Sequence, residues 1–575
     1  MMCFTEHNIN TTTLNMVMSK RLLLASCFLF LASFSFAQIA PSRYWVKFSD
    51  KNGSPFSIGA PEAFLSQRAI QRRANQNIAV VENDIPVNQT YVDAVAATGA
   101  QILNRSKWHN SVTILSSDSA QIDAINALPF VVNVNAVALA QQPVVDLRNK
   151  FELETENVYK NEVASPAISN ADYGMGLNQI DMLGGIQLHE AGYRGQGMLI
   201  AVIDAGFFNA DILTVFDSLR NENRIIATRD FVDGDLNVYG SSTHGTMVLS
   251  TMAANSPGQL IGTAPKASYM LLRSEEAASE YLIEEVNWAS AAEFADSAGA
   301  DVINSSLGYT TFDDPSLNHT YADMDGNTAP ATIAADIAAS KGIAVVNSAG
   351  NEGSSAWLHI SAPSDADSVL AIGAVDGFGQ YVAFSGKGYS FDGRIKPNVV
   401  AQGKDAAVVS TQTGDIMTGN GTSFSGPIIA GMTACLWQAN PTLTNMELLH
   451  AIEQSASQYM NPDSLMGYGI PNFSIANLIL SEYMPGDLSK DELLTVFPSP
   501  FEGDVTGVFY SALDQPTEVR LSAVDGRSIY FQEIFCRKNT SSTFRLPLLQ
   551  NLAQGVYIFS VTTPGKVYYK RVLKR

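Results

Sequence analysis

From Leu199 onward the chain alternates two kinds of apolar pattern. Short continuous apolar runs occur at 199–204 (LIAVID), 267–273 (ASYMLLR), 301–308 (DVINSSLG), 343–350 (IAVVNSAG) and 369–375 (VLAIGAV). Such runs read as strands buried on both faces. Between them lie longer stretches with helical spacing: 244–255 (HGTMVLSTMAAN), Glu275 to Ala298, 332–342 (TIAADIAASKG) and Met417 to Asn440. In the second of these, Leu282, Val286 and Ala289 share one face and Gly299 supplies a stop. In the last, Ile428, Met432, Cys435, Leu436 and Ala439 form the apolar face, and Pro427 is expected in the first helical turn. Strand and helix in alternation predict an α/β fold over residues 174–480. Its parallel sheet is covered by helices on both faces, with ligands at the C-terminal ends of the strands.

The patterning changes on either side of this domain. Residues 38–140 read as a small α+β domain. It has a strand at Tyr44–Phe48, an Arg-rich helix from Pro61 to Asn75 and a helix at Thr90–Ala97. A strand around Val112–Leu115, a helix at Ser119–Leu128 and the run PFVVNVNAV follow. Residues 141–173, with Pro143, Pro166 and the charged run FELETENVYKNE, are expected to be an exposed linker open to processing. Residues 481–493 are a second linker around Pro485-Gly486, and 494–575 read as strands only, with Asp525-Gly526 a hairpin turn. That predicts a C-terminal β-sandwich.

At the other end, Lys20-Arg21 precede an apolar run that closes on Ser35-Phe36-Ala37, so residues 1–37 read as a signal peptide. The run is too short for a membrane anchor. Translation starting at Met16 or Met18 would give the usual short basic leader, and Cys27 lies too early in the run for a lipoprotein box. A length of 575 residues exceeds one domain, and 46% hydrophobic with 16% charged residues suits folded material. The net charge of −21 argues against a nucleic-acid partner, because phosphate binding needs a basic face. Residues 494–575 depart from this balance, with ten Lys and Arg against six Asp and Glu, a net +4. Of four cysteines two leave with the signal, and Cys435 and Cys536 fall in different domains, so no disulfide is expected.

The polar residues at the loop edges carry the chemistry. Asp204 ends a strand, His244 opens a helix, Asn351 follows a strand and Ser423 stands before the apolar helix after Gly419 and Gly421. A helix N-terminus offers unpaired N–H groups and a positive dipole end to an arriving negative charge. Singly these residues have ordinary uses: a turn Asp, a structural His, a loop Asn and an N-cap Ser. Together, in the order Asp, His, Asn, Ser, they suggest nucleophilic catalysis.

The blocks AVIDAGF, STHGTMV, NSAGNEG and NGTSFSGP resemble those of the subtilisin-like serine proteases, the subtilases, and the order Asp, His, Ser is the subtilisin order. The likeness covers roughly residues 174–480. Ala205, Met247 and Gln402 depart from common family residues without touching a chemical group. An α/β-hydrolase would need G-x-S-x-G and another order, and 421–425 reads GTSFS. The resemblance implies a secreted endopeptidase zymogen with Asp204, His244 and Ser423 as triad and Asn351 as oxyanion donor. Ser306, Leu307 and Gly308 would pair with the substrate main chain. The element order of 38–140 resembles subtilase propeptides, which implies the chain's own propeptide as a partner besides protein or peptide substrates. The motifs FPSP, GVYI and KRVLK resemble the C-terminal sorting domain of type IX secretion in Bacteroidetes-like bacteria, which implies passage through the periplasm to the cell surface or medium. No cofactor is needed for the chemistry. Asp323-Met324-Asp325-Gly326-Asn327 has the spaced oxygens of a structural calcium loop, as it also has those of a solvated turn. The alternative function is a silent subtilase scaffold that binds rather than cuts.

Overall fold

The computed structural model describes residues 42–139, 149–155, 171–481 and 492–574, the last stretch less 498–500, 502–504, 539, 547–548 and 550. The expected signal peptide and most of both linkers lie outside the described residues.

The N-terminal unit is an antiparallel sheet of β1 (Ser42–Phe48), β2 (Gln101–Ser106), β3 (Ser111–Ser116) and β4 (Val131–Leu139), in the order β2-β3-β1-β4. Helices α1 (Gln67–Asn75), α2 (Gln89–Ala96) and α3 (Ser119–Asn126) accompany it. Strand β2, with the mixed sequence QILNRS, has no apolar run to announce it. The expected Arg-rich helix is shorter than its pattern. Pro61–Ala63 forms a separate turn, and Ser66 then caps α1 by accepting the Ala69 N–H.

The central domain is a seven-stranded parallel sheet. Its strands are β5 (Leu199–Asp204), β6 (Ile225–Asp230), β7 (Ser268–Arg273), β8 (Val302–Ser305), β9 (Ala344–Ser348), β10 (Leu370–Val375) and β11 (Val399–Gln402). They lie in the order β11-β10-β9-β8-β5-β7-β6. The chain lays β6 and β7 to one side of β5 and β8 to β11 to the other, so the order reverses between β5 and β8. A crevice opens at the carboxyl ends of strands at such a point. Strand β5 shows why both faces are covered. Ile200 and Val202 enter one core with Val248, Met252, Phe424 and Ile428, and Ala201 and Ile203 enter the other with Trp288, Ala291 and Ala334. The first core is closed by α4 (His244–Ala253) and α7 (Thr422–Ala439), the second by α5 (Ile283–Ala298) and α6 (Pro330–Ser340).

Two expectations are corrected here. The long helix begins at Ile283 rather than Glu275. The Glu284 carboxylate accepts the N–H groups of Glu276 (3.0 Å) and Tyr281 (3.3 Å), which holds 275–282 as a loop at the end of β7. Pro427 lies in the second turn of α7, not the first. Its missing N–H frees the carbonyl of Ser423, four residues back. The Ser306 hydroxyl takes that carbonyl at 2.9 Å.

The N-terminal unit meets the central domain through buried charge. Asp296 on α5 accepts from Arg72 (2.6 Å), Arg73 (2.7 Å) and Lys107 (2.8 Å), and Glu293 accepts from the Ser106 hydroxyl (2.5 Å) and the N–H groups of Lys107 (2.7 Å) and Trp108 (3.0 Å). Arg68 pairs with Asp301. Burial pushes the Asp296 carboxyl up, but Lys107, Arg72 and Arg73 together hold it far below the usual carboxylate range.

The C-terminal unit has a three-stranded sheet (Glu492–Phe497, Val505–Ser511, Thr540–Leu546) and a four-stranded sheet (Gln515–Ala523, Ser528–Cys536, Gly555–Thr562, Val567–Lys574). They enclose one core that includes Phe509, Val519, Leu521, Phe544 and Phe559. Cys435 and Cys536 are free and buried.

Candidate active site

Asp204 is the last residue of β5 and fully buried. Its Oδ1 lies 2.7 Å from His244 Nδ1 and also accepts the Ala205 N–H at 2.7 Å. The approach of strand end to helix start depends on two glycines. A Cβ on Gly206 would lie 1.9 Å from Ser241 Oγ, and one on Gly245 would lie 2.4 Å from the Gly206 carbonyl and 3.0 Å from Asp204 Cγ. Either side chain would drive His244 away from Asp204.

Ser423 is the second residue of α7, so it is not the N-cap; Gly421 holds that place and has no side chain to cap with. Asn351 does the capping from the loop after β9. Its Oδ1 accepts the Thr422 N–H (2.8 Å) and hydroxyl (3.0 Å). With the amide oxygen so fixed, Nδ2 must point to the other side, into the crevice.

A fifth residue occupies that place. The Glu154 carboxylate takes Asn351 Nδ2 at 2.6 Å and Ser423 Oγ at 3.1 Å on Oε1, and its Oε2 lies 3.1 Å from His244 Nε2. One carboxylate therefore bridges three of the residues singled out in the sequence. The rest of 149–155 lies along the same crevice. Phe151 stacks on the His244 ring with centroids 4.0 Å apart, the Lys150 N–H donates to the Ala277 carbonyl at 3.0 Å, and the Asn420 N–H donates to the Glu154 carbonyl. Nothing in the sequence pattern singled these residues out, because FELETENVYKNE reads as a charged linker.

Electrostatics follow from burial and these partners. Burial alone would depress the His244 pKa, but the Asp204 and Glu154 carboxylates override it and raise the imidazole to about 10. Burial pushes Asp204 up, against the pull of His244. Among the described residues, Asp204 Oδ2 is buried without a hydrogen-bond partner.

Of the residues expected to line a substrate strand, Ser306 supports the Ser423 carbonyl, and its own carbonyl lies 3.3 Å from Ser423 Oγ. The Leu307 carbonyl accepts from Asn347, and Gly308 lies so close to Ser361 that a Cβ would be 2.1 Å from its Oγ. In the candidate calcium loop the carboxylates serve their own turns. Asp323 accepts the Thr320 N–H (2.7 Å) and hydroxyl (2.8 Å), and Asp325 the Asn327 N–H (2.8 Å) and Thr328 hydroxyl (3.1 Å). Among the described residues, three carboxylates converge elsewhere, at Glu275, Glu280 and Glu284.

Comparison with known proteins decides the family. Subtilisin E of Bacillus subtilis (strain 168) is 31% identical over 354 residues, 60% of this chain and 81% of its own. The chain belongs to the subtilase family. The family model described as Subtilase family, Peptidase S8, matches residues 195–469, and the model of the Peptidase S8 propeptide domain of Bacteroidota matches residues 43–152. A subtilisin of Bacillus pumilus is 32% identical over 298 residues, 50% of this chain and 94% of its own. Among solved structures, MycP1 from Mycobacterium smegmatis is 22% identical, with 54% of this chain and 86% of that one covered and a TM-score of 0.41. This subtilase is thus a serine endopeptidase with a propeptide domain. Residues 149–152 of the crevice-filling segment are the end of the propeptide match.

Proposed function

We propose that this subtilase is an exported zymogen that hydrolyses peptide bonds with Ser423 as nucleophile, and that residues 149–155 hold it shut until the propeptide is cut away. Ser423 Oγ attacks the scissile carbonyl and His244 accepts its proton, then returns it to the leaving amine. Asp204 fixes the proton on His244 Nδ1 and stabilises the imidazolium. Asn351 Nδ2 and the Ser423 N–H, in the first turn of α7, hold the oxyanion.

The observation that carries this reading is the Glu154 carboxylate. An anion that draws in the Asn351 amide, the Ser423 hydroxyl and the His244 imidazole together marks a place built for negative charge beside a nucleophile and a base. While it sits there it inhibits in two ways. It fills the space of the scissile group, and it keeps His244 protonated and so unable to act as base.

The deciding experiment is fluorophosphonate labelling of the processed protein beside a Ser423→Ala control. Labelling of wild type alone supports the assignment; equal labelling of both, or none, overturns it. The C-terminal β-sandwich is proposed as the export address, on the strength of FPSP, GVYI and the basic close of the chain. Removing residues 494–575 should leave active enzyme in the periplasm, and normal export of the truncated form would end that part of the reading.

A further inference from the structure

The loop left between β7 and α5, with the first turn of α5, builds a pocket that neither the triad nor the oxyanion site uses. Glu275, Glu280 and Glu284 turn their carboxylates toward one point, where the Lys150 ammonium lies at 2.6, 2.9 and 3.0 Å from them. Glu275 and Glu284 are almost completely buried, and Glu280 keeps partial access to solvent. The Tyr309 hydroxyl, also buried, donates to Glu275. Lys150 enters as a main-chain neighbour of the cleft. Its N–H pairs with the Ala277 carbonyl, and the next residue, Phe151, stacks on His244. The seated lysine therefore belongs to the chain that occupies the crevice beside the reacting groups.

Burying one carboxylate is costly unless a cation accompanies it, and three converging ones cannot all stay charged alone. Burial, with Glu275 adding to it and Lys150 opposing, already pushes Glu280 up to about 7. When the propeptide and its trailing segment leave, Lys150 leaves with them. The pocket then holds three carboxylates and no cation, next to the place where substrate lies.

We infer that Glu275, Glu280 and Glu284 form a specificity pocket that takes a lysine or arginine side chain of the substrate on the N-terminal side of the cut bond, with Lys150 as its occupant in the zymogen. The inference rests on the serine-endopeptidase reading and deepens it. Arginine fits as well as lysine, because its fork can share two carboxylates.

The test uses processed enzyme and a peptide library carrying Lys, Arg, Gln, Leu or Glu in turn at each of the four positions before the cut. Active enzyme is titrated with a fluorophosphonate, so failure to label would count against the peptidase assignment and not against the pocket. At one position Lys and Arg should exceed Gln by at least about tenfold in kcat/KM, the order expected for a desolvated charge pair. In Glu280→Gln, which removes one charge at equal volume and spares the backbone contacts of Glu284, that ratio should fall severalfold within the same enzyme. No basic preference at any position in a labelled enzyme overturns the inference, as does a ratio that survives Glu280→Gln. Calcium binding that is lost in Glu280→Gln, together with no basic preference, would assign the trio to a metal instead and overturns it too.

Discussion

Glu154→Gln isolates the electrostatic half of the zymogen lock, since the amide keeps the shape and an acceptor oxygen for Asn351 while losing the charge. Glu154 Oε2 lies 3.1 Å from His244 Nε2. Two unit charges at that distance attract by about 5 kcal/mol at an effective dielectric near 20, an upper figure because the Glu154 side chain is 11% exposed. A single opposite charge so near usually moves a pKa by about 1–3 units, each worth about 1.4 kcal/mol. Starting from about 10, the variant imidazole should therefore titrate at about 7–9, with Asp204 still paired to it. The assay is NMR titration of the His244 ring in the unprocessed protein on a Ser423→Ala background, with and without Glu154→Gln. In an otherwise wild-type chain the same change should speed self-processing near neutral pH, where more of the imidazole becomes neutral. A His244 pKa that moves by less than about half a unit would refute the claim that Glu154 holds the base protonated.

Three further outcomes are expected. The folded His244 pKa, about 10, lies above its unfolded value of about 6.5, so its stabilising share is complete below about pH 6.5 and is lost as pH rises through about 10; thermal melting of the Ser423→Ala zymogen should fall across that window, and less steeply with Glu154→Gln. Asn351→Ala in the processed enzyme should lower kcat about 10²–10³-fold with KM nearly unchanged, as for loss of one oxyanion donor, and should cost about 1 kcal/mol of stability through the lost cap on α7; a loss confined to KM in steady-state kinetics would count against its role. Asp296→Ala strands Arg72 and Lys107 and leaves Arg73 with Asp84 alone, a change of about 3–5 kcal/mol for a broken buried pair, so the propeptide unit added in trans should inhibit far more weakly; an unaltered inhibition constant would show that the charge cluster does not hold the two units together.

How far the sequence could be read depended on the kind of signal. The central sheet was legible because each strand is an unbroken apolar run, and Asp204, His244, Asn351 and Ser423 were legible because each follows such a run or opens a helix. The start of α5 was misplaced because SEEAASEYLIEE has good helix formers. Its fold is set instead by Glu284 taking two N–H groups of its own loop, and pattern carries no sign of that. Pro427 was placed by a rule about first turns, whereas α7 starts five residues earlier and Ser306 satisfies the carbonyl that the proline leaves open. Lys150, Phe151 and Glu154 were invisible for a simpler reason: their partners lie from about 90 to 270 residues away along the chain, and their local composition is that of any solvated connector.

The charged seam between the N-terminal unit and α5 bears on what happens after they part. The surfaces uncovered carry charge beside an apolar strip: one side presents Arg68, Arg72, Arg73 and Lys107 with Trp45 and Val137, the other Glu293, Asp296 and Asp301 with Ile283 and Val286. The charged part of the enzyme side adds to the acidic surface of a protein whose full chain carries a net charge of −21, which favours colloidal stability. On the departing side Arg73 keeps Asp84, while Arg68, Arg72 and Lys107 lose their carboxylate partners, and the mutual repulsion of these cations works against its compact form, most of all at low ionic strength. Melting of the isolated unit should therefore rise with salt. If the propeptide is cleaved as proposed, a unit that loosens once free would return less readily than one that stays compact, which would give activation a direction.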